Sequence, residues 1–321
     1  MGQGPSLGQM FGANAGEAAQ FMGLKSGRIE ALEADIAVFG ADCATPYGLV
    51  GAYCAGGPAA MRAGAADFAG GFDKVNFDIG TQVLPDGVRA CDLGDLPTDS
   101  TDAEGNRARI RDMTARIVGS GAIPILLGGD DSVPIPMLQG LAAVGPLTIL
   151  QVDAHIDWRD SVNGERWGLS STMRRASEMA HVARIVQVGA RGIGSARMAD
   201  LQAARDWGAE VIPMHDFSRL GRDVVLDCIP KGGQVAICFD CDALDPSIMP
   251  AVIAPTAGGL SYGDALGLVR GVAERARIAA FALVEFMPDR DRDGEGARVA
   301  GQIVAAVLGL VAQQVAEAQT A

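Results

Sequence analysis

This sequence contains few basic residues relative to acidic ones. Its 321 residues include 26 Lys and Arg against 39 Asp and Glu, which gives a formal net charge of −13 at pH 7. A protein this acidic repels the phosphate backbone of DNA and RNA, so we expect no sequence-independent nucleic-acid binding.

Long hydrophobic runs are missing too. No uninterrupted apolar run reaches the roughly 18 residues that span a bilayer, so we expect no membrane partner. Residues 1–27 are rich in Gly, Ala and Gln. They lack the basic stretch followed by an apolar stretch that is typical of a signal peptide.

The cysteines form neither a disulfide pattern nor a zinc pattern. The six are Cys43, Cys54, Cys91, Cys228, Cys238 and Cys241. Cys238 and Cys241 have CxxC spacing, but no second pair is present to complete a zinc site. Scattered cysteines in a long chain predict reduced thiols, and we expect a cytoplasmic protein.

What is present is an alternation of apolar and helical segments. Hydrophobic residues make up 49% of the chain, which is typical of a folded globular protein. The apolar runs are 36–40, 122–127, 148–152, 184–188, 210–212, 235–239 and 280–284, and the segments with helical spacing are 106–120, 195–207, 262–277 and 298–318. Continuous apolar runs flanked by helices predict strands that are buried on both faces of a parallel sheet.

The domain organisation follows from this alternation. We predict an α/β fold, a three-layer αβα sandwich with a mainly parallel central sheet, formed by a single domain over residues 31–321. Residues 1–30 show no clear period and are interpreted as an N-terminal arm that could serve as an oligomer contact.

One predicted strand ends in the motif Asp153-Ala154-His155-Ile156-Asp157. Ligands of open parallel sheets bind beyond the carboxyl ends of the strands, so this is a candidate site. Two carboxylates and an imidazole this close would repel or desolvate one another unless a cation were present. In isolation the motif fits equally well a loop that is capped by Asp and contains a hydrogen-bonded His.

Two more predicted strands end in acidic residues. Asp240 and Asp242 lie on the same side of an extended segment, where oxygen ligands suit a hard cation, although an N-cap and a solvated neighbour fit as well. Asp131 follows Gly128-Gly129-Asp130, and an Asp just before a helix is often only its N-cap.

The joint occurrence of three acidic strand ends favours a metal site. In a parallel sheet they converge on one edge, so we predict a dinuclear divalent metal centre. Oxygen ligands with one imidazole favour Mn²⁺, with Ni²⁺, Co²⁺ or Zn²⁺ as alternatives. Two such ions would make hydroxide available near neutral pH.

These motifs resemble the ureohydrolase (arginase/agmatinase) superfamily. The matching segments, in the family's order, are Gly57-Pro58 with Arg62, and 92–95, 128–132, 153–157, 239–246, 258–260 and 284–291. The resemblance covers most of the chain after the arm. It implies an arginase-like fold and a binuclear Mn²⁺ centre that hydrolyses guanidino compounds to urea and an amine. It also implies a homo-oligomer, commonly a trimer or a hexamer.

The resemblance also implies residue roles. Asp153 and Asp240 would bridge the two metals. The full set of implied metal ligands is Asp131, Asp153, His155, Asp157, Asp240 and Asp242, with His155 and Asp242 completing the shell of one metal and Asp157 that of the other. Glu285 would bind the substrate's guanidinium group, for which a carboxylate is the natural partner. The catalytic residues are then Glu285 and Asp157, and the substrate-binding residues are Glu285, Ser170 and Trp167.

Three positions depart from the family's pattern. Asp131 stands where members usually have His, residues 167–175 lack the usual His that relays protons or holds substrate, and Met287 stands where Asn is common. Such changes fit either a hydrolase retuned for another substrate or a subunit that has lost catalysis. The retained acids favour the hydrolase.

We therefore predict an agmatinase-like metal hydrolase of linear C–N bonds in a small guanidino or amidino compound. The rival hypothesis is a catalytically weakened subunit that assembles with an intact paralogue, and a related deacetylase is a weaker option. Arg174 and Arg175 are either structural helix residues or line the mouth of the pocket and favour acidic substrates. Trp158 and Trp167 are candidates for residues that line the pocket.

Overall fold

The computed structural model describes residues 20–194 and 196–320. Residues 1–19 of the predicted arm lie outside the described residues. Lys25–Ser26 already form a strand of the central sheet, and Phe21 and Met22 are buried in the core. The folded domain therefore includes residues ahead of the predicted boundary at residue 31.

The strands of the described chain are mostly short apolar runs. They are β1 (Lys25–Ser26), β2 (Ile36–Ala41), β3 (Val75–Asn76), β4 (Thr81–Gln82), β5 (Ala90–Asp95), β6 (Ile123–Gly128), β7 (Leu147–Val152), β8 (Val182–Val188), β9 (Glu210–Ile212), β10 (Gln234–Asp240) and β11 (Arg277–Val284). Nine of them form one sheet in the order β1-β5-β2-β6-β11-β10-β7-β8-β9, and every neighbouring pair in it is parallel. β3 and β4 form a separate antiparallel pair.

Helices cover both faces of this sheet. They are α1 (Gly57–Gly64), α2 (Ala103–Gly119), α3 (Pro134–Gly140), α4 (Thr172–Ala176), α5 (Met198–Trp207), α6 (Met214–Leu220), α7 (Asp223–Leu226), α8 (Tyr262–Arg275) and α9 (Glu295–Thr320). Side chains of β2 alternate between the two cores: Val38 belongs to the core that contains residues of α1 and α6–α9, and Phe39 belongs to the core that contains residues of α2–α5. The predicted three-layer αβα sandwich with a parallel sheet is confirmed.

Helix α9 is long and apolar enough to cross a membrane by length and composition alone. Glutamines such as Gln302 and Gln313 interrupt its apolar residues, so the sequence shows no continuous run. Of its most apolar window, 61% is buried inside the protein. It packs closely on α1, where a Cβ at Gly64 would overlap the backbone of Ala297. Its apolar character is that of a core helix.

The cysteines contribute to the core. All six are free, and Cys228 alone among them is only partly buried. Cys238 and Cys241 belong to the cores on opposite faces of the sheet, and burial raises the pKa of both thiols. The CxxC spacing therefore reflects core packing.

The centre of the sheet brings four carboxyl ends together. The chain leaves β6 and continues in β7, and the two positions between them are filled later by β10 and β11. The loops after these four strands therefore meet at one edge, at the point where the strand order reverses.

Candidate functional site

Six of the seven buried acids at the ends of the four central strands are predicted site residues. They are Asp131, Asp153, Asp157, Asp240, Asp242 and Glu285, each at most 5% exposed. They lie at or shortly after the ends of β6, β7, β10 and β11, where the motifs predict them. The structure thus brings all the predicted acidic site residues to one edge of the sheet.

The loop after β7 carries the D-x-H-x-D motif. The backbone N–H of His155 donates to Asp153 Oδ1 at 2.6 Å, and His155 Nδ1 lies 3.0 Å from Asp242 Oδ2. Asp157 has a φ of +42°, which is uncommon for a residue other than glycine. Its backbone oxygen accepts the N–H of Met173 in α4 at 3.1 Å, and this contact holds the strained residue in place.

The loop after β10 is tied to the loop after β7. Asp240 Oδ1 accepts the backbone N–H of Asp242 at 2.6 Å, and Asp242 Oδ1 accepts the N–H of Ala154 at 3.0 Å. The guanidinium group of Arg191 donates to the backbone oxygen of Asp242 at 2.8 Å. These bonds fix both carboxylates relative to the β7 loop.

The loop after β6 turns sharply to present Asp131. A Cβ at Gly129 would overlap the backbone oxygen of Asp42, so only glycine fits there. Asp131 Oδ2 is buried and has no hydrogen-bond partner among the described residues. Helix α3 begins at Pro134, and Val133 before it provides no side-chain cap. The interpretation of Asp131 as the N-cap of this helix is therefore wrong.

Potential ligand atoms form two overlapping clusters. One consists of Asp131, Asp153 and Asp240 and the other of Asp153, His155 and Asp242, and in each the ligand atoms lie within 4.8 Å of one another. Asp153 belongs to both clusters, whereas Asp157 lies outside both in the described structure. A buried carboxylate oxygen without a partner, beside further carboxylates, is a donor set that a divalent cation fits.

Burial and mutual repulsion dominate the electrostatics of the site. Burial raises the pKa of Asp131, Asp157, Asp240 and Asp242, and the neighbouring carboxylates raise it further. Burial also acts to raise the pKa of Asp153, but hydrogen bonding to His155 and the charge of its imidazole hold it below its ordinary value. Burial acts to lower the pKa of His155, because it disfavours the charged imidazole. The carboxylates of Asp153 and Asp242 have the larger effect and raise this pKa to about 11.

Glu285 directly follows β11 and adopts a φ of +64°. Its Oε1 accepts two hydrogen bonds, from the phenol of Tyr53 at 2.6 Å and from the backbone N–H of Asp131 at 2.9 Å. Burial raises its pKa to about 8, against the opposing effect of the Tyr53 hydrogen bond. Only 2% of the surface of Glu285 is exposed, so it is a buried residue and not a solvated one at the strand end.

The other two histidines lie away from the acidic group. His181 Nε2 is 2.9 Å from the backbone oxygen of Leu138, and His215 is exposed beside Asp216. Both are in structural or surface positions, so His155 is the one imidazole that the structure places among these acids.

The predicted substrate-binding residues have different surroundings. The backbone N–H of Ser170 donates to the phenolic oxygen of Tyr47 at 3.3 Å. Trp167 is half-buried, and the guanidinium carbon of Arg107 lies over its ring, 5.5 Å from the ring centre. Trp167 and residues of α2 line a surface groove. Trp158 is buried with its ring 6.1 Å from that of Trp207. Trp158 is thus a core residue, while Trp167 has a face on the surface.

The arginines of α4 are engaged in ion pairs. The side chain of Arg175 is 1% exposed, and its Nη2 lies 2.8 Å from Asp160 and 3.0 Å from Glu178. Arg174 lies 3.7 Å from the same Glu178. These contacts favour the structural interpretation of both arginines.

Gln151, Gln187 and Tyr53 are among the side chains at or next to the site that the sequence analysis does not single out. Gln151 Nε2 donates to Asp153 Oδ2 at 2.7 Å and to Asp157 Oδ2 at 2.6 Å. Gln187 Nε2 in turn donates to Gln151 Oε1 at 2.5 Å. The available signal is a glutamine within an apolar strand, since a buried amide needs partners. For Tyr53, the third such residue, the sequence carries no comparable signal.

Comparison with known proteins agrees with this architecture. The arginase family matches residues 34–309. A guanidinopropionase of Pseudomonas aeruginosa is 33% identical over 236 residues, which are 71% of this chain and 73% of the relative. The mitochondrial guanidino acid hydrolase of Homo sapiens is 31% identical over 235 residues, 71% of this chain and 66% of the relative.

Solved structures agree as well. The proclavaminate amidino hydrolase of Streptomyces clavuligerus superimposes with a TM-score of 0.79 at 25% identity, covering 92% of this chain and 97% of that one. A hypothetical agmatinase of Burkholderia thailandensis gives a TM-score of 0.78 at 25% identity, covering 93% and 92%. The chain therefore belongs to the arginase family, and the relatives named here are a guanidino acid hydrolase and a guanidinopropionase.

Proposed function

We propose that the protein is a binuclear metal hydrolase that converts a small guanidino or amidino compound into urea, or a substituted urea, and an amine. The observation that carries this proposal is the position of Asp153, which belongs to both clusters of ligand atoms. A carboxylate shared in this way can bridge two cations. The names of the relatives, guanidinopropionase and guanidino acid hydrolase, support the substrate class.

Two divalent cations would occupy the two clusters. Asp131, Asp153 and Asp240 would hold the first, with Asp157 as a further ligand, and Asp153, His155, Asp240 and Asp242 would hold the second. Predominantly oxygen ligands favour Mn²⁺, with Ni²⁺, Co²⁺ or Zn²⁺ as alternatives. Such cations supply Lewis acidity, which makes a water molecule a nucleophile near neutral pH.

Glu285 is proposed to bind and orient the substrate. Both hydrogen bonds that the described residues make to the side chain of Glu285 fall on Oε1, so Oε2 is the oxygen offered to the N–H groups of a guanidinium ion. A charge-assisted hydrogen bond of this kind is stronger in a site that excludes water. Glu285 thereby holds the guanidinium carbon in a fixed orientation for attack.

Asp157 is proposed as the second catalytic residue. Gln151 donates a hydrogen bond to its carboxylate, and the backbone of α4 donates to its backbone oxygen. In this role Asp157 accepts a hydrogen bond from the attacking water and orients it toward the substrate. Because residues 167–175 contain no His, the relay that a histidine supplies in typical members does not operate from this segment.

We further propose a cytoplasmic homo-oligomer, a trimer or a hexamer. The support for an oligomer is the family resemblance together with large apolar side chains at the surface, such as Phe77 at 89% and Leu49 at 89% exposure. Light scattering after size exclusion tests it directly: a monomeric mass at micromolar concentration would rule the oligomer out.

Elemental analysis combined with a urea-release screen tests the proposed function. The purified protein is loaded with Mn²⁺ or Ni²⁺ and assayed with agmatine, 3-guanidinopropanoate, 4-guanidinobutanoate and arginine. Two metals per chain with urea release from at least one compound is the expected result. Two metals without urea would indicate a catalytically weakened subunit, and no metal after loading would refute the proposal.

A further inference from the structure

The phenol of Tyr53 makes a short hydrogen bond to the carboxylate that the proposed function assigns to substrate binding. Tyr53 Oη donates to Glu285 Oε1 at 2.6 Å. The two residues are 232 positions apart in the sequence, so only the fold brings them together. A hydroxyl that donates to a buried carboxylate is among the stronger hydrogen bonds in proteins.

The backbone conformation of Glu285 is unfavourable, so contacts with neighbouring residues are needed to hold it. Its φ of +64° is unfavourable for a residue with a Cβ, and conformations of this kind persist only where the surroundings over-determine them. The backbone is held by the N–H of Glu285, which donates to the oxygen of Gly129 at 2.7 Å. The side chain is held at Oε1 by Tyr53 and by the N–H of Asp131.

The loop that carries Tyr53 is itself firmly attached at both ends. At its start the N–H of Thr45 donates to Ser132 Oγ at 2.8 Å, and at its end the N–H of Gly56 donates to Asp42 Oδ1 at 2.8 Å. Cys54, next to Tyr53, is fully buried. The middle of the loop reaches the surface, where Leu49 is exposed. Tyr53 therefore lies on a fixed part of the loop, where it can serve as a rigid donor.

We propose that Tyr53 is a positioning residue for substrate binding: its phenol occupies Glu285 Oε1 and so fixes Oε2 as the oxygen that receives the guanidinium group. This inference rests on the proposed function of Glu285. It assigns Tyr53 a part in substrate affinity, while cation binding by the acidic clusters does not depend on it.

The test compares the metal-loaded wild type with Tyr53→Phe and with Tyr262→Phe as a matched control. Tyr262 also donates its phenol to a carboxylate, Asp78 at 2.8 Å, and it begins α8, while Asp78 belongs to neither cluster of ligand atoms. Both substitutions remove one hydroxyl and keep the ring. Metal content, thermal unfolding, and KM and kcat for urea release are measured for all three proteins.

Loss of the Tyr53 hydroxyl should raise KM by about ten- to a hundredfold, as expected for a hydrogen bond to a charged group. Metal content should stay the same and kcat should change by less than about threefold, because a binding interaction common to ground and transition states is removed. Tyr262→Phe should leave KM unchanged. An unchanged KM in Tyr53→Phe, or a fall in kcat accompanied by metal loss, would overturn the positioning role.

Failure of the proposed function would give a different result. If the wild type releases no urea from any compound, the binding of each of the four compounds to the three metal-loaded proteins is measured by calorimetry. Weaker binding by Tyr53→Phe alone would still support the inference, since Glu285 would then bind a guanidinium group without hydrolysing it. Equal binding by the wild type and Tyr53→Phe would overturn the inference alone, and a wild type that binds none of the four compounds would overturn both proposals.

Discussion

Gln151 holds Asp157 by a hydrogen bond of 2.6 Å from its side-chain amide to Oδ2. The same amide nitrogen donates to Asp153 at 2.7 Å, so one buried glutamine spans two of the predicted ligands. Gln187 fixes the orientation of this amide by donating to its oxygen. Partners of this kind, beyond the ligands themselves, orient a metal site.

Gln151→Leu should weaken Mn²⁺ binding by about ten- to a hundredfold, the usual effect of losing an outer partner of a metal ligand. Leucine fills a similar volume but leaves Asp153 and Asp157 without their shared donor. Calorimetric titration with Mn²⁺ measures the change. The control is Gln202→Leu, since Gln202 is bonded to Asp206 on the exposed side of α5. Equal affinity in the two variants would show that Gln151 serves packing alone.

Asp242→Ala should remove one metal per chain and lower activity by about a hundredfold or more, because it deletes a carboxylate from the cluster with His155. The fold should survive, since the residue lies at a strand end. Elemental analysis and circular dichroism test this.

Asp245→Ala is the matched control for that variant. Asp245 accepts the N–H groups of Ser247, Gly258 and Gly259, so it stabilises a turn and lies outside both clusters. It should keep both metals. A variant Asp242→Ala that retained two metals and full activity would refute the ligand assignment.

Asp131→His should shift the metal preference toward Zn²⁺ and Co²⁺, because an imidazole replaces one oxygen ligand in a site that is otherwise nearly all oxygen. Removing one negative charge should also make the nucleophilic water more acidic and move the rising limb of the pH–rate profile to lower pH. Competitive metal titration of the wild type and Asp131→His shows whether Asp131 is a metal ligand. Identical stoichiometry and affinity would mean that Asp131 binds no metal.

Removal of metal should make stability depend on pH in a defined direction. The pKa values of Asp131, Asp157, Asp240 and Asp242 are raised by burial, and that of Glu285 reaches about 8. Unfolded carboxyl groups titrate near pH 4, so above this pH the metal-free folded state holds more protons than the unfolded state. Its free energy of unfolding therefore falls as pH rises from about 5 to about 8. His155, with a pKa of about 11, contributes in the same direction.

Urea denaturation in EDTA at pH 5.5 and at pH 8 measures this dependence. Added Mn²⁺ should stabilise the protein more at pH 8, because the cation binds the deprotonated carboxylates. A metal-free protein that is more stable at pH 8 than at pH 5.5 would contradict the argument.

The strands that carry the site could be read from the sequence because they are buried on both faces. β7 and β10 appear as continuous apolar runs, and each ends in acids. β5 (Ala90–Asp95) shows no apolar run because it contains two Asp and a Gly, and its pairing with β1 and β2 compensates for its weak strand propensity. β1, of two residues, is too short to give any pattern.

The types of the site residues, and the edge at which they meet, were determined by the sequence alone, because residues that follow parallel strands necessarily share one end of the sheet. The tertiary structure alone decided which ligand atoms cluster and that Asp153 is common to both clusters. It also decided that Asp131 caps no helix and that Tyr53 meets Glu285. Those relations depend on distances of a few ångströms between loops distant in the chain, which are set by strand order and close packing and not by local propensity.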